Sequence, residues 1–124
     1  MVQIFEKYNK IFFVGIGGIS MSALATFCKK NGAEVAGSDN AESSIISNLK
    51  REGIKVYLKH KGKNVARANL VVFSGAISEN NPELVEAHKQ NIPTMERSEF
   101  LGKICEGFEQ VIAVSGTHGK TTTT

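Results

Sequence analysis

Short, continuous apolar runs alternate with amphipathic stretches along this chain, a pattern typical of repeated strand–helix–strand units. Continuous runs are typical of strands that are covered on both faces, as in a parallel sheet. The runs predict five strands, at residues 11–14, 34–37, 54–58, 70–73 and 92–95. Between them, apolar residues at helical spacing predict helices. These helices begin after a glycine-rich turn at residues 15–20, at Ser43 or Ser44, at Asn81-Pro82, and at Ser98, the last one covering residues 98–106.

This alternation predicts an α/β fold: a Rossmann-like parallel sheet of about five strands flanked by helices, with the default strand order 3-2-1-4-5. We expect this domain to occupy residues 1–108. A further buried-strand run, at residues 111–114, follows what is already a complete domain, and a strand needs a helix after it to cover its face. We therefore expect residues 109–124 to be the truncated start of a second domain, formed by a strand and a phosphate loop.

The composition is that of an ordinary globular domain, with 41% hydrophobic residues and a formal net charge of +3. The most basic segment, residues 55–63, is interpreted as a solvated surface loop and not as a nucleic-acid or membrane patch. Cys28 and Cys105 are expected to be buried thiols on apolar helix faces. The sequence has no signal peptide and no run that could span a bilayer, which predicts a cytoplasmic protein with no nucleic-acid partner and no membrane insertion.

The first motif with chemical content is Gly15-Ile16-Gly17-Gly18-Ile19-Ser20, between a predicted strand and a predicted helix. In the diphosphate-binding fingerprint, the first glycine permits a tight turn and the second lets the backbone approach the diphosphate. A serine stands where a third glycine is usual. The helix start then offers free N–H groups and a positive dipole end to the anion. The alternative, a turn with no ligand, fits the strand–loop–helix context less well.

An acidic residue follows the second predicted strand. Asp39 lies there, and an acidic side chain at this position can accept hydrogen bonds from a ribose. The alternative is a surface aspartate in a turn. The loop and the aspartate together do not separate NAD, FAD and a UDP-sugar, because each of these has a diphosphate and a ribose.

A second phosphate-binding motif, Gly116-Thr117-His118-Gly119-Lys120-Thr121, follows the last apolar run. It is interpreted as a shortened Walker-type loop, in which Lys120 reaches the β and γ oxygens of ATP and the Thr121 hydroxyl coordinates Mg²⁺. A hydride-transferring dehydrogenase has no need of such a loop. A diphosphate site followed by an ATP site favours a protein that spends ATP on a nucleotide-linked substrate.

Together the two motifs resemble the Mur ligase family of peptidoglycan synthesis. The resemblance covers essentially the whole chain. A histidine at the position of His118 resembles the members that add L-alanine to UDP-N-acetylmuramate. The murein-tripeptide recycling ligase has the same histidine and therefore stays a close alternative. The matching segments are Phe13-Val14-Gly15-Ile16-Gly17-Gly18, Gly37-Ser38-Asp39, Ser74-Gly75-Ala76-Ile77, Asn81-Pro82-Glu83, Ile92-Pro93 and residues 115–124 (SGTHGKTTTT).

The resemblance implies an ATP-dependent ligase with a UDP-binding domain, a central ATPase domain and a C-terminal domain that helps to bind ATP and the amino acid. ATP with Mg²⁺ would convert the lactyl carboxylate of UDP-N-acetylmuramate into an acyl phosphate, which the amine of L-alanine attacks. The present chain would bind the UDP-sugar and would be inactive in ligation on its own.

The resemblance also implies two sets of site residues, carried over by position. The set for the UDP-sugar is Gly15, Gly17, Gly18, Ser20, Asp39, His60, Ser74 and Ala76. The set for ATP is Gly116, Thr117, His118, Gly119, Lys120, Thr121 and Thr122. Lys120, Thr121 and His118 would be the catalytic residues, with Thr121 as the Mg²⁺ ligand. His118 either lies near the reacting phosphate or shapes the loop, and His60 is either a uracil contact or a solvent-exposed side chain.

Two other classes of function use the same kind of sheet. A nicotinamide-dependent dehydrogenase domain is compatible with residues 15–39, but the second phosphate loop argues against it, so no NAD is expected. A non-enzymatic nucleotide-sensing module that gates a transporter leaves that loop unexplained. The sequence does not predict an oligomeric state.

Overall fold

The computed structural model describes the backbone of residues 4–114 and the side chains of residues 4–106. The strands are β1 (Lys10–Val14), β2 (Glu34–Ser38), β3 (Lys55–Tyr57), β4 (Leu70–Phe73) and β5 (Thr94–Glu96). The helices are α1 (Ile4–Lys7), α2 (Ile19–Lys30), α3 (Ser44–Arg51), α4 (Pro82–Lys89) and α5 (Arg97–Val114), and a 3-10 helix spans Gly62–Val65. The alternation of strands and helices confirms the predicted α/β class.

All of the described strands pair in parallel, in the order β3-β2-β1-β4-β5. This order is the one that the sequence predicts. Strands β2 and β3 are added on one side of β1, and strands β4 and β5 are added on its other side, so the topological switch point lies between β1 and β4. Val14 pairs with Ser38 on one side and with Phe73 on the other, so that β1, β2 and β4 end at the same level. The loops after these three strands therefore meet at one edge of the sheet, which we call the carboxyl edge.

Side chains of β1 alternate between the two faces of the sheet and define two buried layers. Phe13 belongs to the larger layer, which α2 and α5 cover with Leu24 and Phe100. Phe12 belongs to the smaller layer, which α4 and the 3-10 helix cover with Leu84 and Val65. Burial of an apolar side chain of this size stabilises the fold by roughly 1.5–3 kcal/mol. The sheet is therefore held between helices on both faces.

Side-chain caps begin two of the helices. The Ser43 hydroxyl accepts a hydrogen bond from the Ile46 N–H at the start of α3. The Asn81 carbonyl oxygen Oδ1 accepts one from the Glu83 N–H at 2.8 Å, with Pro82 in the first turn of α4. Both starts agree with the sequence prediction. In contrast, no side chain caps α2, which begins after Gly18.

Two strands begin later than predicted because their first residues close the preceding helix. The Ile54 N–H donates to the Leu49 carbonyl at 3.0 Å, and the Ile92 N–H donates to the Ala87 carbonyl at 2.8 Å. These hydrogen bonds cap the ends of α3 and α4. Strand β5 then begins after Pro93, which has no N–H to give to the sheet.

The strand predicted at residues 111–114 is wrong, because the backbone of α5 continues as a helix to Val114. A short apolar run fits either a strand or a helix by its pattern. A helix satisfies its backbone hydrogen bonds within the segment, whereas a strand needs a neighbouring strand to do so. Helix α1 and the 3-10 helix were also not predicted, since four-residue elements carry too little periodicity to be recognised.

The two cysteines differ. Cys28 is buried in the larger layer, as expected, but Cys105 is exposed. Among the α5 side chains that the structure describes, Phe100 and Ile104 are buried in the core, and the next residue is rotated by about 100° around the helix axis. Cys105 therefore points away from the sheet, and the expectation that it is buried is wrong.

Candidate functional site

The loop after β1 is fixed by the last residue of β2. Gly15 has a φ of +82°, a conformation that favours glycine. Its N–H donates to the Ser38 carbonyl at 2.8 Å, and the Ile16 N–H donates to the same carbonyl at 2.9 Å. The tight turn predicted at Gly15 is confirmed, and the Ser38 carbonyl sets its position.

The side chain of Ile16 anchors the same loop, a role that the sequence analysis missed. Ile16 is fully buried, and it lies against the backbone of Gly37 in β2. A Cβ at residue 37 would lie 2.6 Å from Ile16 Cδ1 and 2.6 Å from the Phe13 carbonyl oxygen, so only glycine fits. A glycine inside a strand is a signal of such a close approach and could have indicated this contact.

Asp39 contacts the glycine loop directly. Its Oδ2 accepts a hydrogen bond from the Gly17 N–H at 2.9 Å, and its Oδ1 accepts one from the Asn40 N–H at 2.8 Å. A Cβ at residue 17 would lie 2.7 Å from Oδ2. The half-buried carboxylate therefore braces the loop, which the sequence did not foresee, and it lies at the carboxyl edge as predicted.

The N-terminus of α2 lies open at this edge. Gly18 and Ser20 are exposed, and Ile19 is 81% exposed. The first amides of a helix have no partner within the helix, and no side chain caps those of α2. Unpaired N–H groups at the positive end of a helix dipole favour an anion such as a phosphate.

The loop after β4 lies beside the glycine loop. The Ile77 N–H donates to the Ser74 carbonyl at 3.0 Å, which closes a turn around Ala76. Ser74 is half-buried and Ala76 is exposed. Ile77 Cδ1 lies 3.5 Å from where a Cβ of Gly15 would be. The structure thus brings the predicted residues Ser74 and Ala76 to the same edge as the first motif.

Glu96 places a negative charge next to this second loop. Its carboxylate accepts hydrogen bonds from the hydroxyl and the N–H of Ser98, which lower the pKa of Glu96 below its usual value. Its Oε2 lies 3.8 Å from where a Cβ of Gly75 would be. An anionic ligand is therefore favoured at the α2 end of the edge and disfavoured at the β5 end.

A buried polar cluster lies behind the loop, formed by Ser38, His60, Asn64 and Glu83, and we call it the Glu83 cluster. Glu83 Oε1 accepts a hydrogen bond from the Ser38 hydroxyl at 2.6 Å and lies 2.9 Å from His60 Nδ1. Its Oε2 accepts one from the Asn64 side-chain amide at 2.8 Å and lies 3.4 Å from the Lys61 N–H. The Ser38 and Glu83 side chains are fully buried.

The cluster fixes the orientation of His60. Its Nδ1 lies 2.8 Å from Ser38 Oγ and 2.9 Å from Glu83 Oε1. Because the Ser38 hydroxyl hydrogen is donated to Glu83, both of these oxygens accept from the ring, and Nδ1 carries a hydrogen. Within residues 4–106, Nε2 is left without a hydrogen-bond partner. The His60 side chain is only 13% exposed, which disfavours the interpretation as a freely solvated histidine.

Glu83 was not predicted as a functional residue. The sequence Asn81-Pro82-Glu83 is that of an ordinary helix start, with a cap, a first-turn proline and an acidic residue near the positive helix end. Nothing in that pattern tells that the carboxylate is buried. Its burial depends on His60 and Asn64, which arrive from a different part of the chain.

A concave surface lies at the opposite, amino edge of the sheet. Its polar and charged lining consists of five basic residues together with Glu34, Tyr57 and Asn64; the basic residues are Lys10, Lys29, Lys55, Lys63 and Arg67. The first three residues of the basic segment 55–63 form the predicted strand β3. Lys55 and Lys63 line this groove, so the segment is not simply a solvated surface loop. This basic groove is separate from the glycine loop.

The second phosphate motif lies outside the described residues, and so do all of the site residues predicted on it: Gly116, Thr117, His118, Gly119, Lys120, Thr121 and Thr122. Within the described part of the chain, no group of three or more acidic, histidine or cysteine side chains could hold a metal ion. No described helix is both long and apolar enough to cross a membrane.

The sequence of this chain is similar to those of known ligases. The chain is 50% identical over 119 residues to the UDP-N-acetylmuramate--L-alanine ligase of Clostridium novyi, a match that covers 96% of this chain and 26% of the relative. It is 50% identical over 121 residues to the ligase of the same name from Clostridium tetani, covering 97% of this chain and 26% of that one. The chain thus spans about a quarter of the length of the curated relatives it matches.

Solved structures of ligases with related names have a similar fold. UDP-N-acetylmuramate-alanine ligase from Thermotoga maritima superposes with a TM-score of 0.72 at 37% identity, covering 74% of this chain and 21% of that chain. The UDP-N-acetylmuramate:L-alanyl-gamma-D-glutamyl-meso-diaminopimelate ligase from Neisseria meningitides superposes with a TM-score of 0.67 at 27% identity, covering 75% and 30%. The family model described as "Mur ligase family, catalytic domain" matches residues 10–109. The chain therefore belongs to the Mur ligase family.

Proposed function

We propose that this chain binds UDP-N-acetylmuramate at the carboxyl edge of its sheet and is the N-terminal portion of a cytoplasmic, ATP-dependent ligase that joins L-alanine to that sugar nucleotide in peptidoglycan synthesis. The observation that carries the proposal is the uncapped, exposed N-terminus of α2, held next to Asp39 by the Ser38 carbonyl. Relatives about 50% identical to this chain, named as ligases of this kind, support the choice of substrate.

In the proposed complex, the diphosphate lies against the backbone amides of Ile19 and Ser20. The lack of side chains at Gly15, Gly17 and Gly18 lets a ligand approach the backbone. The Gly17 N–H already donates to Asp39 and is not needed for phosphate. Oδ1 of Asp39 already accepts from the Asn40 and Ala41 N–H groups, whereas Oδ2 accepts from Gly17 and keeps a lone pair for a ribose hydroxyl.

The remainder of the sugar nucleotide is proposed to lie between the loops after β2, β3 and β4. His60 offers Nε2 to a polar group of the ligand, because Nδ1 is held by Glu83. Ser74 and Ala76 form the other wall, beside Gly15. These three positions are proposed neighbours of the uracil and the sugar.

The proposed reaction belongs to the whole protein. ATP would phosphorylate the lactyl carboxylate of the substrate, and the amine of L-alanine would displace phosphate from the acyl phosphate to form the amide. Lys120 would stabilise the phosphate charge, the Thr121 hydroxyl would hold Mg²⁺, and His118 would lie in the same loop. We further propose that residues 1–108 form the UDP-sugar domain and that residues 109–124 lead into the ATPase domain.

A second candidate is the murein-tripeptide recycling ligase, favoured by the likeness in fold to the Neisseria meningitides ligase. The two candidates share the sugar nucleotide and differ in the amine that is joined to it. In the whole protein, ATP turnover that depends on L-alanine supports the first candidate. Turnover that depends on the tripeptide, with none for L-alanine, would replace it by the second.

The test with the present chain is a thermal shift measured in parallel with UDP-N-acetylmuramate, NAD and ATP. A ligand that binds only the folded state at a hundredfold excess over its Kd stabilises the protein by about 2.7 kcal/mol. The proposal predicts a clear rise in Tm with the sugar nucleotide and little change with NAD. A rise in Tm with NAD alone would contradict the proposal.

A further inference from the structure

Glu83 is the only charged side chain in the described part of the chain that is fully buried. Removing a carboxylate from water is costly unless hydrogen bonds replace those of the solvent. Ser38, His60 and Asn64 supply these hydrogen bonds. The carboxylate at this position therefore serves as the partner of polar side chains and does not fill the apolar layer.

The acceptors of Glu83 connect two parts of the proposed substrate site. Oε1 holds the hydroxyl of Ser38, and the carbonyl of the same residue accepts the N–H groups of Gly15 and Ile16. Oε1 also lies 2.9 Å from His60 Nδ1, which fixes the ring whose Nε2 is the proposed ligand contact. One buried carboxylate thus contacts both the residue that anchors the glycine loop and the histidine that is proposed to contact the ligand.

We infer that Glu83 is a positioning residue for nucleotide binding, which acts by holding Ser38 beneath the glycine loop and His60 beside it. The inference rests on the proposed function for the identity of the ligand. Glu83 itself is fully buried and is not expected to touch the ligand.

The testing variant is Glu83→Gln, which keeps the size of the side chain. Its carbonyl can still accept from Ser38 and His60, but its NH₂ group then faces the Asn64 amide, which is also a donor. Leaving buried donors without acceptors weakens the cluster. We expect the Kd for UDP-N-acetylmuramate to rise about tenfold. We also expect the amides of Gly15 and Ile16 to exchange with solvent about tenfold faster, relative to those of Phe12 and Phe13 in β1.

The matched control is Leu84→Ala, the adjacent residue of α4. It removes a buried side chain from the same layer and has no polar contact with Ser38 or His60. We expect it to lower Tm at least as much as Glu83→Gln does, while the Kd and the exchange ratio stay at the wild-type values. A purely structural role for Glu83 would make the two variants behave alike, and that result would overturn the inference.

A double-mutant cycle with Ser38→Ala gives a second, independent check. This variant loses the hydroxyl that contacts both Glu83 and His60, but it keeps the backbone carbonyl that holds the glycine loop. We expect the combined variant Ser38→Ala/Glu83→Gln to raise Kd clearly less than the two single effects added together. Full additivity would contradict the inference. If the wild-type chain fails to bind the sugar nucleotide, the proposed function fails, whereas the exchange ratio still tests the positioning of the loop.

Discussion

The N–H of Gly17 donates to Oδ2 of Asp39 at 2.9 Å, and no side chain fits between them, because a Cβ at residue 17 would lie 2.7 Å from that oxygen. The glycine loop and the acidic residue after β2 are therefore one structural unit, although the sequence presents them as separate motifs. In the proposed complex, this contact fixes the distance between the amides that would bind phosphate and the carboxylate that would bind ribose.

Gly17→Ala should break this unit. The added methyl group must displace a carboxylate that is also held by the Asn40 N–H, so the loop and Asp39 move apart. We expect the affinity for UDP-N-acetylmuramate, measured by calorimetry, to fall by about tenfold or more. Gly102→Ala is the matched control, because a Cβ at that helical position meets nothing within 4 Å. It should leave the affinity unchanged; equal affinities for the two variants would argue against the role of the loop.

Asp39→Asn should weaken binding by removing an acceptor for the ribose. This loss of affinity should depend on the presence of the ribose hydroxyl that Asp39 is proposed to bind. The increase in Kd on substitution should be about tenfold for the natural nucleotide and much smaller for its 2′-deoxy analogue. An equal loss for the two ligands would mean that Asp39 acts only as a brace for Gly17.

Gly37→Ala should strongly destabilise the fold. The added Cβ would lie 2.6 Å from the Phe13 carbonyl oxygen and 2.7 Å from Ile16 Cβ, and neither atom belongs to the free end of a flexible side chain. We expect the free energy of unfolding, measured with urea, to fall by about 3 kcal/mol, at the upper end of the overpacking range. Gly75→Ala, whose nearest contact would be Glu96 Oε2 at 3.8 Å, should change it little. A mild effect of Gly37→Ala would show that the loop is not packed as described.

The two thiols should behave differently towards alkylation and pH. Burial raises the pKa of Cys28 from 9.0 to about 12, whereas Cys105 is exposed. In the folded chain, Cys105 should react with iodoacetamide and Cys28 should stay protected until denaturant is added. Rapid labelling of both thiols without denaturant would contradict the burial of Cys28.

The same burial predicts a loss of stability in alkaline solution. The unfolded chain ionises Cys28 above about pH 9, while the folded chain keeps the thiol protonated up to about pH 12. The contribution is therefore fully present below pH 9 and is lost between these values, by about 1.4 kcal/mol for each pH unit. Over this pH range, the free energy of unfolding, measured with urea, should fall less steeply for Cys28→Ala than for the wild-type chain. Parallel slopes would rule out this cause.

The sequence predicts the strand order and the position of the first motif because both follow from local rules. Short connections between parallel strands favour one order, and a strand–glycine–helix junction has one characteristic geometry. Contacts between distant segments do not follow from such rules. The fit of Ile16 against Gly37 and the burial of Glu83 beneath His60 depend on where separate loops come to lie. The apolar run at residues 111–114 was assigned wrongly because its pattern does not distinguish a strand from a helix.

The central claim is that UDP-N-acetylmuramate binds at the carboxyl edge of the sheet. The most direct test is to titrate the isotope-labelled chain with this ligand and to follow the backbone amide resonances by NMR. We expect saturable shifts concentrated at Gly15, Gly17, Ser20 and Asp39, with a single Kd. The absence of saturable shifts, or shifts confined to the basic groove around Lys55 and Arg67 at the opposite edge, would contradict it.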